Sequence, residues 1–248
     1  MSDCNPEPCG GAHFFNGRMP KRRAAASIPA EATASQLLQG QSKRGRMIKR
    51  AGDIVFSLLV LVLGSPLFLL LALLVKLSSR GSVFYSQRRI GRGYRGFGCL
   101  KFRTMRKDAD RVLAAVLAAD PALRAEFERD HKLRNDPRIT PLGKFLRRSS
   151  LDELPQFLNV LKGQMSVVGP RPIVWEELRR YGAAMDEVLS VRPGLTGLWQ
   201  VSGRNNLSYS KRVRLDLHYA RHRNFWLDLR IVLRTVGVVL LPMDRGAY

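Results

Sequence analysis

Residues 54–75 read IVFSLLVLVLGSPLFLLLALLV, an apolar run with Gly64-Ser65-Pro66 at its centre, and the reading of that run decides how the chain is organised. As one straight helix it would reach ~33 Å, about one bilayer hydrocarbon core, whereas two halves broken at Pro66 each reach about half of it. Length does not choose between them. Charge does, because a spanning segment should carry its basic flank on the cytoplasmic side and a poorer flank outside. Here Lys43, Arg44, Arg46, Lys49 and Arg50 precede the run, and Lys76, Arg80, Arg88, Arg89 and Arg92 follow it. The expectation is a re-entrant helical hairpin that dips into the bilayer and returns, with an ordinary span as the alternative. Pro66 removes the backbone donor to Val62, and the Ser65 hydroxyl can bond a freed carbonyl one turn back, so Ser65 and Pro66 should make the break and partly satisfy it.

Outward from this segment, the 248 residues leave room for one domain of ordinary size and a tail. The division expected is a disordered basic tail over 1–45, a membrane hairpin over 46–79 and a cytoplasmic catalytic domain over 80–248. Lysine and arginine number 42 against 20 acidic residues, a net charge of +22 that calls for a polyanionic partner. No acidic residue lies between Asp53 and Asp108, the stretch that contains and follows the apolar run, so anionic lipid is favoured over nucleic acid. Cys4, Cys9 and Cys99 lack metal spacing and are odd in number, which suggests neither a disulfide framework nor a zinc site and fits a reducing compartment.

The fold class expected is α+β, mostly helical, with short strands and interfacial amphipathic helices. Ser82 to Tyr85 and Gly98 to Phe102 read as strands of a β-hairpin around a glycine-rich loop. Gly91-Arg92-Gly93-Tyr94-Arg95-Gly96 matches the dinucleotide fingerprint in letters, but a β-like segment follows where that motif needs a helix. Helices are expected over 108–129, interrupted at Pro121, and over 154–161, closed by Lys162-Gly163. Met165 to Val168 reads as a strand, Asp186 to Val191 as helical, Pro193-Gly194 as a turn and Leu198 to Val201 as another strand. The apolar stretch 224–241, with Trp226 at its start, is read as a helix lying at the membrane interface.

The densest polar constellation is Arg147-Arg148-Ser149-Ser150-Leu151-Asp152-Glu153-Leu154-Pro155-Gln156. Ser150 with Glu153 three residues on is a capping box, and Pro155 suits a first turn, so the whole segment can be read as a helix start. The functional reading is compatible with it. Two carboxylates at a helix N-terminus stay ionised, and from a first turn one can attack while the other reaches a Mg²⁺ ion, beside arginines able to hold phosphate oxygens. Gly169-Pro170-Arg171-Pro172 fixes an arginine between two prolines, either a phosphate clamp or a rigid loop with an exposed side chain. Gly203-Arg204-Asn205 is a similar case. Asp108-Ala109-Asp110 has the letters of a metal-binding Asp-x-Asp pattern but lies in an expected helix, where positions two apart diverge. His218 and His222 lack a third ligand, so no metal is assigned there. The basic run 88–95 with Tyr94 could stack single-stranded nucleic acid, but nearby lipid headgroups explain it at less cost.

Taken together, Ser65-Pro66, Lys101-Phe102-Arg103-Thr104-Met105, Asn135-Asp136-Pro137-Arg138, Leu151-Asp152-Glu153-Leu154-Pro155-Gln156, Val168-Gly169-Pro170-Arg171-Pro172, Pro193-Gly194-Leu195-Thr196-Gly197 and Gln200-Val201-Ser202-Gly203-Arg204-Asn205 resemble the bacterial sugar transferases, the monotopic phosphoglycosyl transferases of the inner membrane. The likeness runs from about Arg46 to the C-terminus and is strongest to the short galactosyl phosphotransferases of exopolysaccharide pathways, without the additional N-terminal membrane helices of longer relatives. It implies transfer of a hexose 1-phosphate, galactose or glucose, from a UDP-sugar to undecaprenyl phosphate, with UMP released and Mg²⁺ required. By motif position Asp152 would be the nucleophile and Glu153 the Mg²⁺ ligand. Arg147, Arg171 and Arg204 would contact phosphate, with Lys101 and Arg103 counted beside them. The partners implied are UDP-sugar, undecaprenyl phosphate and inner-membrane lipids, no nucleic acid, and a homodimer left open. Two other readings stay in play: a sugar-only glycosyltransferase that releases UDP using Asp108 and Asp110, and a basic membrane-attached binding module without chemistry.

Overall fold

The computed structural model describes residues 43–130, 133, 135–203 and 206–240. Most of the expected tail, Arg204 and Asn205 lie outside the described residues. The chain is a mixed helix and strand structure, mostly helical, that begins with two helices, α1 (Lys43–Leu63) and α2 (Ser65–Ser78), bent by 65° at Gly64. The break has the expected cause. Pro66 cannot donate to the Val62 carbonyl, and the Ser65 hydroxyl donates to it at 2.8 Å. No single helix is long and apolar enough to cross a membrane, among the described residues.

Both arms of the bent pair are fastened to the same following domain. A hairpin of β1 (Phe84–Ile90) and β2 (Gly96–Phe102) leads into α3 (Ala109–Ala119), α4 (Pro121–Asp130) and α5 (Pro141–Ser149). Leu71 and Val75 of α2 are buried against Phe102 of β2 and Leu146 of α5, and the Phe68 ring lies 5.0 Å from that of Phe102. The glycine loop of the hairpin is followed by a strand, which excludes a dinucleotide-binding turn. On the other arm, Arg50 of α1 donates at 2.7 and 3.1 Å to the carbonyls of Val160 and Leu161, at the C-terminal end of α6 (Gln156–Leu161). Asp53 accepts from the Ser166 hydroxyl at 2.7 Å and the Val167 amide at 3.1 Å, both in β3 (Ser166–Val168). Between these attachments the elbow carries exposed Leu58, Leu59, Val62, Leu63 and Leu67.

The second half runs through the short helices α7 (Leu178–Tyr181) and α8 (Met185–Val188), then β4 (Gly194–Thr196), α9 (Leu198–Val201), α10 (Tyr209–His222) and α11 (Phe225–Leu240). The main core joins Phe97 and Cys99 of β2, Val160 of α6, Val167 and Val168 of β3, Tyr219 of α10 and Ile231 of α11. On α11, Phe225, Trp226, Leu229, Leu233 and Val236 recur at three- and four-residue spacing and are exposed, an apolar stripe opposite the buried Ile231.

Five expectations need correction. Gly194 does not turn the chain; it opens β4, which pairs in parallel with β3. A Cβ on Gly169 would meet Arg192 and Gly194 backbone, one on Gly194 would overlap Gly169 and one on Gly197 the Gly169 carbonyl, so the glycines serve close backbone contact. Leu198 to Val201 is helical, not a strand: Leu198 and Val201, three apart, both face the main core, and four residues were too few to tell that spacing from alternation. Ser150 is not an N-cap. It ends α5 in the left-handed conformation, φ 59° and ψ 14°, and makes no side-chain capping bond. The expected helix over 154–161 starts at Gln156, after a single 3₁₀ turn of Leu151–Glu153. Asp186 to Val191 is helical only to Val188.

Candidate active site

The left-handed Ser150 reverses the chain directly after α5, so that the 3₁₀ turn presents Asp152 and Glu153 side by side to a cleft of about 960 Å³. Conformational strain of this kind costs about 1 kcal/mol or more in a non-glycine residue and persists only where the surroundings hold it. Asp152 is 7% exposed. Lys101 at the end of β2 reaches across, its ammonium 2.6 Å from Glu153 Oε1 and 3.8 Å from Asp152 Oδ2. β2 is held against α6 by Asn159, which accepts from the Leu100 amide at 2.9 Å and donates to the Gly98 carbonyl at 2.7 Å, so the lysine approaches from a fixed strand.

The two carboxylates are driven apart. Burial pushes Asp152 up to about 6, against the pull of the Lys101 charge and with the repulsion of Glu153 added. Burial alone would raise Glu153 too, but the Lys101 ammonium and the guanidinium charges of Arg171 and Arg89 outweigh it and hold Glu153 below the usual carboxylate range. One group is a weakly solvated carboxylate, the other a firmly ionised one.

Arg147, on the last turn of α5, donates from Nε to the Thr104 hydroxyl at 2.9 Å, and its charge acts on Asp152. Arg171 is exposed, lines the cleft and lies 5.6 Å over the Trp199 ring. The Gly169, Gly194 and Gly197 contacts clamp the backbone on the N-terminal side of its loop. Lys101, Arg147, Arg171, Asp152 and Glu153 thus line one cleft. Arg103 lines this cleft too, but its guanidinium donates to the Ser79 carbonyl at 2.5 Å and to the Ser82 carbonyl, capping the end of α2, rather than to the carboxylates. Thr104 and Trp199 escaped the sequence reading, the latter because its segment was read as a strand.

Apolar side chains line the cleft as well. Phe56 of α1, Leu154, Phe157, Leu195, and Val232 and Val236 of α11 line the same cleft. Asp108 is engaged by Arg106 and Arg111 and lines a separate, smaller cavity, whereas Asp110 faces the main cleft, so the two do not converge. The rings of His218 and His222 stack at 4.3 Å and are exposed.

Among the described residues no three His, Cys, Asp or Glu side chains converge as a metal cage. A Mg²⁺ ion bound along with a diphosphate needs only one or two carboxylates, and Glu153, ionised and half-buried at the cleft, is of the type required.

The family described as "Bacterial sugar transferase" matches residues 44–242. The chain is 48% identical over 221 residues to an "Exopolysaccharide production protein ExoY" of Sinorhizobium fredii, covering 89% of this chain and 94% of that one. It is 49% identical over 206 residues to an "Undecaprenyl-phosphate galactose phosphotransferase" of Salmonella typhimurium, covering 83% and 43%. To a "UDP-glucose:undecaprenyl-phosphate glucose-1-phosphate transferase" of Escherichia coli it is 40% identical over 200 residues, covering 77% and 40%. The chain therefore spans nearly all of the first relative and less than half of the other two. Matches of this length reach from the first arm of the bent pair to α11, and the chain belongs to the bacterial sugar transferase family.

Proposed function

We propose that the protein transfers a hexose 1-phosphate from a UDP-sugar to undecaprenyl phosphate and releases UMP, an initiating step of exopolysaccharide synthesis. The observation that carries this reading is one cleft lined both by adjacent carboxylates with three cations and by apolar side chains of α1 and α11. Relatives named for galactose and glucose phosphotransfer support the substrate class.

In the mechanism proposed, the diphosphate enters between Arg147 and Arg171, whose charges offset its own, with Arg204 a third contact by motif position. An Asp152 oxygen attacks the phosphorus that bears the sugar. The Asp152–phosphorus bond forms as the bond to the bridging oxygen breaks, and UMP leaves. A phosphate oxygen of the lipid then displaces Asp152, which is restored as carboxylate. Transfer between anions needs charge neutralisation and alignment more than proton transfer, which suits this cation-rich end. Lys101 orients both carboxylates. Glu153 would hold Mg²⁺, which when bound supplies further neutralisation of the diphosphate.

A soluble donor and a lipid acceptor meet only at the membrane surface. The bent pair is proposed to re-enter rather than span: both arms are fastened to one domain, so both flanks lie on one side, taken as the cytoplasmic face of the inner membrane. The free elbow, roughly ten residues, is ~15 Å of helix at most, about one leaflet. The apolar stripe of α11 would lie in the interface.

The test is nucleotide release from UDP-galactose or UDP-glucose with Mg²⁺ and undecaprenyl phosphate. Lipid-dependent UMP is expected. UDP as product would overturn the phosphotransfer reading in favour of sugar-only transfer.

A further inference from the structure

Helix α10 is basic and amphipathic, yet one of its two fully buried side chains is a carboxylate. Asp216 is 1% exposed. It accepts from the Tyr181 hydroxyl of α7 at 3.0 Å, while its Oδ1 has no partner within hydrogen-bonding distance. A buried carboxylate with one full hydrogen bond costs several kcal/mol, so an apolar residue or an amide would stabilise the fold better here. Burial pushes Asp216 up to about 7, against the pull of the Tyr181 hydroxyl and, at longer range, of the backbone N–H and the guanidinium of Arg171. The same loop is fixed from two further directions: the Arg171 guanidinium lies over Trp199 of α9, and Arg212, one turn before Asp216 on α10, lies 4.9 Å over the same ring. Helix α10 thereby supports both the backbone and the side-chain end of the Arg171 loop.

We propose that Asp216 is a positioning residue for donor binding, acting through Arg171: the unpartnered oxygen of its buried carboxylate orients the amide of the Pro170–Pro172 loop and biases the guanidinium toward the diphosphate. This rests on the reading of Arg171 as a phosphate clamp. The alternative is a purely structural role in docking α7 on α10 through Tyr181.

The experiment is a double-mutant cycle on the full chain in detergent, with Asp216→Asn, Arg171→Ala and the pair, reading kcat/KM for UMP release, equilibrium affinity for UDP, and Tm. Asp216→Asn keeps the size of the side chain and an acceptor for Tyr181. It should lower kcat/KM and UDP affinity by about tenfold, the size of one charge-assisted contact, with Tm unchanged or raised. In the Arg171→Ala background it should lower them no further. Equal losses in both backgrounds, an unchanged affinity, or a lost Tm with normal affinity would each overturn the proposal. The UDP arm needs no turnover, so wild-type protein that binds UDP but releases no UMP sinks the phosphotransfer reading while the cycle still reports on Asp216. An Arg171→Ala variant with wild-type UDP affinity would sink the clamp and the positioning role together.

Discussion

Lys101 donates to Glu153 at 2.6 Å across the gap between β2 and the 3₁₀ turn, and the same ammonium stands 3.8 Å from Asp152. One cation thus tunes both carboxylates. Replacing it by methionine keeps the length of the side chain and removes the charge. Asp152 and Glu153 should then both rise in pKa, and the acidic limb of the rate profile, set by ionisation of Asp152 near 6, should move to higher pH. A profile of kcat/KM from pH 5 to 9 checks this; an unmoved limb would separate Lys101 from the nucleophile.

Asp152→Asn should abolish UMP release and stabilise the protein. The folded-state pKa of about 6 lies above the unfolded value near 3.9, so the folded state holds the proton more tightly and stability falls as pH rises between roughly 4 and 6. Above that window the ionised, buried Asp152 costs about 3 kcal/mol, on the order-of-magnitude scale of 1.4 per pKa unit. The variant should therefore melt higher than the parent at pH 8 and alike at pH 4. Thermal scans at the two pH values decide it, and retained turnover would remove Asp152 as nucleophile.

Asp53→Ala should loosen α1 from the domain. Two hydrogen bonds to β3, from Ser166 and Val167, lose their acceptor, and the buried Val167 amide is left unpaired. The expected loss is about 2–4 kcal/mol, measured by denaturant unfolding in detergent. Asp53→Asn, which keeps an acceptor, should lose less.

Ser150→Gly should raise stability by about 1 kcal/mol, because glycine takes a φ of 59° without strain, and Ser150→Val should lower it. If both variants behave like the parent in chemical denaturation, the left-handed turn is not a point of strain.

The helices were legible in proportion to their length. The break at Pro66, the interruption at Pro121 and the amphipathic C-terminal helix could be read because proline chemistry and three-to-four spacing act within a few residues. The parallel pair of β3 and β4 could not, since three-residue strands carry no periodicity and the glycines that permit their approach read locally as a turn. The candidate site followed the same division. Asp152, Glu153, Arg147 and Arg171 stood out as charges in tight sequence, whereas Lys101 earned its place from a strand 51 residues before Asp152 only through pairing. Arg103, equally basic and in the same cleft, has its guanidinium taken up by the Ser79 and Ser82 carbonyls. Asp216 left a faint signal, an acidic residue between Leu215 and Leu217 in the buried phase of a basic helix.

The grip of Arg50 and Asp53 on α6 and β3, and of Arg103 on the end of α2, makes the bend of the helix pair a property of the domain that follows it. In the re-entrant arrangement proposed, no charged segment has to be carried to the far side of the bilayer for the elbow to reach its place. Anchoring and folding would then be a single event, and a lesion in the domain core should release the protein from the membrane as surely as one in the elbow itself.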